Sequence, residues 1–203
     1  MTQIFPILVT CPICENEFEI FTLASTNHMG SPDLDLRPPE MARSTMNTWT
    51  HECPKCGYVA SDFNKTPEIT KEFLENDKYK SCDNLNFKGH QSEIFYRQFM
   101  ISNDSEEKFY SLLHCAWACD DECDEKNSVL IRNKCLEYID FLEKSDDIIL
   151  LKADLMRRSK HFDEMIKEYS TKSFKNDLYN RICDFQLEKA LKMDNGCYTI
   201  EDI

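Results

Sequence analysis

The chain has 203 residues, 41% hydrophobic and 30% charged, enough for one medium domain or two small ones with a packed core. A net charge of −13 disfavours nucleic-acid binding, and four glycines cannot build the glycine-rich phosphate loops of P-loop or dinucleotide-binding enzymes. No apolar run approaches the roughly 18 residues a membrane helix needs.

Residues 1–10 lack a basic segment and a small-residue cleavage site, so they do not resemble a secretory signal. The expectation is a cytoplasmic protein whose 11 cysteines are reduced. Cys11-Pro12-Ile13-Cys14 is the first of two Cys-x-x-Cys pairs. Residues 17–23 then alternate Phe18, Ile20 and Thr22 against Glu17, Glu19 and Phe21, as a short strand does.

Residues 25–39 hold three prolines and one glycine, which exclude regular structure. The 38 residues between Cys14 and Cys53 exceed what a minimal zinc ribbon needs, and they carry His28, Asp33, Asp35, Arg37, Glu40 and Arg43. Asp33, Asp35 and Arg37 are the candidate binding surface. A hydrolytic cluster of Asp33 and Asp35 with His28 or His51 is the catalytic alternative, and a packed loop satisfying its own backbone is the simplest reading. Arg37, flanked by Asp33, Asp35 and Glu40, is placed to hold the turn. Residues 47–51 alternate as a second strand.

Cys53-Pro54-Lys55-Cys56-Gly57 completes the strongest chemical signal. Two thiolates from one tight turn fill two corners of a tetrahedron, and a second turn fills the others. Cys11, Cys14, Cys53 and Cys56 therefore predict one structural Zn²⁺ with no open position for a metal-bound water. A four-thiolate iron centre, a redox pair and unliganded cysteines are the competing readings.

After residue 65 the period becomes helical. Thr66-Pro67-Glu68 reads as a helix start. A segment opens at Ser92 with Phe95 and Phe99, and Asp104-Ser105-Glu106-Glu107 resembles a capping box. Stripes follow at Phe109, Leu112, Ala116 and Cys119, at Ile131, Cys135 and Tyr138, over residues 148–160 and 162–170, and at Tyr179, Cys183 and Leu187. Short connections imply antiparallel neighbours in a bundle or short solenoid. Cys115, Cys119 and Cys123 lie on one helical face and read as a packing seam, with a second metal site as the alternative. Arg157, Arg158, Lys160 and His161 form the one basic cluster, read as favouring a helix dipole or meeting an acidic partner or a phosphate.

Taken together, the two knuckles, Gly30-Ser31-Pro32-Asp33-Leu34-Asp35-Leu36-Arg37-Pro38-Pro39, Arg43-Ser44-Thr45-Met46 and Trp49 resemble the bacterial family called domain of unknown function 2225. Ala116-Trp117-Ala118-Cys119-Asp120-Asp121 and Leu155-Met156-Arg157-Arg158 resemble its later segments. The resemblance implies a zinc-ribbon-like start, tetratricopeptide-like helices and no established activity. Glu15 stands where glycine commonly follows the first knuckle, which suggests a looser turn there. Aligning Phe162-Asp163-Glu164 with the turn of a tetratricopeptide repeat puts Ala153 at its small position and Tyr169 at its aromatic one.

The expected fold class is α+β. A zinc-ribbon-like β domain with a long irregular insertion occupies residues 1–65, and an antiparallel α-helical, tetratricopeptide-like domain occupies 66–203. The function expected is a cytoplasmic protein-interaction or scaffold module with a protein partner and no membrane. The alternatives are a metal-stabilised hydrolase and a nucleic-acid-associated ribbon. No complete catalytic set is visible.

Overall fold

A computed structural model describes residues 1–203. The fold is mixed α+β, mostly helical, with its strands confined to the N-terminal part. β1 (Gln3–Thr10) and β2 (Glu17–Ser25) form an antiparallel hairpin with Thr10 opposite Glu17 and Ile7 opposite Ile20. β3 (His51–Glu52) and β4 (Val59–Ala60) form a second, shorter hairpin. Each Cys-x-x-Cys segment is the turn of its own hairpin.

One strand was not expected, and one expected strand does not form. β1 was not legible, because its run of Ile4, Phe5, Ile7, Leu8 and Val9 does not alternate and Pro6 interrupts it. It tolerates Pro6 because β2 is its only neighbour, which leaves one edge without ladder bonds. The alternation at 47–51 does not make a strand. Residues Met46–Thr48 form a 3₁₀ turn, and only His51 joins β3. The Thr45 and Thr48 hydroxyls donate to the Ala42 and Thr45 carbonyls, local bonds that compete with an extended chain.

A short helix, α1 (Glu40–Arg43), closes the proline-rich loop. The expected helix start at Thr66 is not used. Ile69 packs onto the cluster around Cys11 and Tyr58, and Glu68 accepts from the Asn103 amide. Helix begins instead at α2 (Lys71–Glu75), followed by α3 (Asp77–Lys80). Six longer helices complete the chain: α4 (His90–Ile101), α5 (Ser105–Asp121), α6 (Glu125–Tyr138), α7 (Asp146–Arg158), α8 (Phe162–Tyr169) and α9 (Asp177–Leu191). Each packs on the next, and α7 also packs on α9.

Side chains set these boundaries. Asp104, Asp124 and Ser145 accept from backbone N–H groups at Glu107, Asn127 and Ile148, capping α5, α6 and α7. The second half of the expected capping box is missing, because the Glu107 carboxylate accepts instead from the Ser102 hydroxyl at 3.0 Å. The start of α4 has no cap of its own. Glu122, just past the end of α5, accepts from the Gln91 and Ser92 N–H groups at 3.1 and 3.3 Å and from the Ser92 hydroxyl.

Three apolar clusters hold the chain. One joins α4 to α7 through Phe95, Phe109, Leu112, Ile131, Leu151 and Leu155. Burying each such side chain contributes about 1.5–3 kcal/mol. A second packs Cys11, Cys53, Tyr58 and Val59 against Leu74, Tyr79, Ile94 and Ile101, across the junction between hairpins and helices. The third joins α7, α8 and α9 through Ala153, Met165, Tyr169 and Ile182, and takes in Leu34 from the loop. Ala153 and Tyr169, which the sequence aligns with a tetratricopeptide repeat, are both fully buried there, and the Tyr169 hydroxyl donates to the Ile149 carbonyl at 2.7 Å.

Candidate metal centre

The two knuckles repeat one backbone design. In the first, the Cys11 N–H donates to Asn16 O at 2.9 Å and the Glu15 N–H donates to Cys11 O at 2.9 Å. In the second, the Cys53 N–H donates to Tyr58 O at 2.7 Å and the Gly57 N–H to Cys53 O at 3.0 Å. The residue after the second cysteine is left-handed in both, with φ of 58° at Glu15 and 73° at Gly57. The Glu15 turn is therefore not looser. It takes the glycine conformation with a side chain that disfavours it.

These turns bring the Sγ atoms of Cys11, Cys14, Cys53 and Cys56 within 4.8 Å of one another. The Cys11–Cys56 and Cys14–Cys53 sulfurs are each 3.6 Å apart. A disulfide would require about 2.05 Å. Four sulfurs at about 2.3 Å around one tetrahedral ion stand about 3.8 Å apart, so this donor set fits a Zn²⁺-sized ion. Burial pushes the Cys11 and Cys56 thiols up, while at Cys14 the Asn16 amide and the neighbouring thiols outweigh burial and pull it down. A dication binds thiolates, so its binding would release the protons that burial favours on Cys11 and Cys56. Cys115, Cys119 and Cys123 form no comparable cluster: the first two are buried and Cys123 is exposed beyond the end of α5.

The proline-rich loop between the knuckles lies across the helices. Asp33, Asp35 and Arg37 are all buried, at 2%, 0% and 3% exposure, and each is bound within the chain. Asp35 Oδ2 accepts from Arg158 at 2.8 Å and from Arg132 at 3.2 Å. Asp120 of α5 accepts from the same two arginines at 2.8 and 2.7 Å. Two carboxylates and two guanidiniums thus form a closed four-membered ion-pair ring. Arg37 does not fold back on its own loop as the sequence suggests; it reaches Asp121 and Met46 Sδ. Asp33 binds Arg43 and accepts from the Cys197 thiol at 3.3 Å. The loop is locked from outside by the C-terminal segment, where the Leu34 N–H donates to Tyr198 O and the Ile200 N–H to Pro32 O.

The ring holds its carboxylates ionised. Burial alone would raise Asp35, but Arg158 and Arg132 pull it below the usual carboxylate range, and the same two arginines do so at Asp120. Arg157 takes a separate buried partner, Asp154, at 2.6 Å. The basic cluster read at 157–161 is therefore divided: Arg157 and Arg158 turn inward, while Lys160 is exposed and the half-buried His161 binds Asn133. His28 is exposed, His51 sits in β3, and neither hydrogen-bonds to Asp33 or Asp35. Arg132 is not singled out in the sequence, and Asp120 enters there only within the segment 116–121, with no partner assigned. The one available signal was Arg132 beside Ile131 in an otherwise apolar stripe, a place where an arginine is buried only when paired.

No helix is long and apolar enough to cross a membrane. Comparison with models of known protein families, with curated proteins and with solved structures finds no match.

Proposed function

We propose that this protein is a zinc-stabilised protein-interaction module of the cytoplasm, related to the domain of unknown function 2225 family. On this reading the N-terminal hairpins are a zinc ribbon and α7 to α9 a degenerate tetratricopeptide-like unit. The observation that carries the reading is the match between the two knuckles, which converge four thiols on one point. A site filled by four protein ligands builds structure and leaves no position for a reacting water. The helical hairpin with Ala153 and Tyr169 at its centre supports the second half.

The hydrolytic alternative is the weaker one. Asp33 and Asp35 are buried and ion-paired, so neither is free to take a proton from water or attack a substrate. The nucleic-acid alternative fares no better, since four of the seven arginines, Arg37, Arg132, Arg157 and Arg158, are buried against carboxylates.

The test is elemental analysis of freshly purified protein together with quantitative co-purification from its native cell. One zinc per chain, and one protein partner enriched with wild type and lost with Cys53→Ser, is the expected result. Absence of zinc overturns the metal assignment, and a partner profile unaltered by Cys53→Ser overturns the role given to the zinc ribbon.

A further inference from the structure

Beside the second knuckle, between β3–β4 and helices α4 and α5, lies a cleft of about 380 Å³. Its aromatic lining is Trp49, Tyr110 and His114. The Trp49 and His114 rings stand 5.0 Å apart between centroids, and Tyr110 and His114 6.5 Å. Trp117 backs this group, 5.1 Å from His114 and 6.5 Å from Trp49. The Trp49 indole N–H donates to the Thr45 hydroxyl at 3.1 Å, which fixes the ring.

The polar lining has one sign. Glu106, Glu107 and Asp104 stand at the cleft, with no lysine or arginine among the lining residues. Asp104 caps α5 and Glu107 accepts from Ser102, whereas the exposed Glu106 has no hydrogen-bond or ion-pair partner in the chain. Burial drives the His114 imidazole down to about 4, so it adds no positive charge at neutral pH. Gln98 also lines the cleft, and its side-chain carbonyl oxygen is buried without a hydrogen-bond partner.

We propose that this cleft binds an arginine side chain presented by a partner protein. A guanidinium is flat, weakly hydrated and rich in N–H donors, so it stacks on an aromatic face while giving hydrogen bonds to acceptors around its edge. Trp49 and Tyr110 supply the faces, and Glu106 and the Gln98 carbonyl supply acceptors that nothing else in the chain uses. A quaternary ammonium would suit the rings but could donate nothing to Gln98. A bare metal ion would not suit aromatic walls, and these acids do not converge as ligands. The net charge of −13 favours encounter with a basic partner. The occupant rests on the interaction reading given above; the chemistry of the cleft does not.

The test titrates the metal-loaded protein with a capped single arginine, alongside capped citrulline, capped lysine and tetramethylammonium. Binding is read from the NMR shifts of the Trp49 indole N–H and of the Ser111 and His114 amides. Arginine should saturate these shifts and citrulline should not. Glu106→Gln, an exposed change that leaves the melting temperature in place, should weaken arginine roughly threefold or more. Trp49→Leu should weaken it about tenfold. Tighter binding of tetramethylammonium or lysine than of arginine overturns the guanidinium assignment. No saturable shift with any cation overturns the cleft itself and leaves the interaction reading intact. Arginine binding that persists while no partner co-purifies overturns the interaction reading alone.

Discussion

Asp35 and Arg158 lie 123 residues apart in sequence and meet at 2.8 Å inside the molecule. Neither is accessible to a partner: Asp35 is 0% exposed and Arg158 7%. What the sequence offers as a possible docking loop is, through this pair, the fastening between the N-terminal loop and the helices.

Removing one member of such a ring leaves an uncompensated buried charge. Asp35→Asn should therefore lower stability by about 3–5 kcal/mol. Arg132 and Arg158 would then face each other with Asp120 alone between them. Chemical denaturation of the variant, with metal content held equal, measures this. A loss below about 1 kcal/mol would show that the ring contributes little net stability.

Acid should release the same fastening. Asp35 and Asp120 have folded pKa values below their unfolded ones, because Arg158 and Arg132 outweigh the effect of burial. Their stabilisation is complete above the unfolded value of about 3.9 and is lost as pH falls towards the folded values. Asp154 acts in the opposite sense: burial pushes it up, so it gains from protonation. The fall in melting temperature below about pH 4.5 should be shallower in Asp120→Asn than in wild type.

Metal removal should not stop at the hairpins. Leu74, Tyr79 and Ile94 share a cluster with Cys11 and Cys53, and the Tyr79 hydroxyl donates to Gly57 O at 2.6 Å. Chelation should raise amide exchange in both hairpins and in α2 and α3, while α6 to α9 keep their protection. Uniform loss of protection along the chain would contradict this division.

Two backbone positions give tests of opposite sign. Glu15 holds φ at 58°, so Glu15→Gly should stabilise the first knuckle by up to about 1 kcal/mol and tighten metal binding. Gly89 is the reverse case. A Cβ there would lie 2.0 Å from Cδ of Glu122, the carboxyl that caps α4. Gly89→Ala should displace that cap and lower stability by about 1–3 kcal/mol, and Glu122→Ala should reproduce most of the loss.

Part of this architecture was legible and part was not, for physical reasons. The four thiol positions and the long helices follow from local spacing, because tight turns and a 3.6-residue period are properties of neighbouring residues. β1 is not legible because both of its faces are exposed along nearly its whole length, so no buried side requires its residues to alternate. The ion-pair ring was missed because Asp35, Asp120, Arg132 and Arg158 are ordinary charges in sequence; only the fold makes them neighbours. The aromatic cleft likewise joins Trp49 to Tyr110 and His114 across the junction between the two halves, where periodicity carries no information.

The ring also dictates an order of assembly during synthesis. Cys56 follows Cys11 by 45 residues, so the metal ligands can gather early, and the loop between the knuckles is then tethered at both ends. Asp35 must wait for Arg158, 123 residues later, which at about 5–20 residues per second is roughly 6–25 s. The segment from Pro32 to Leu34 waits longer still, for Tyr198 and Ile200. The proline-rich loop therefore passes through a period on the ribosome when its knuckles are closed and its aspartates are still in water, and its locking reports that the last helix has arrived.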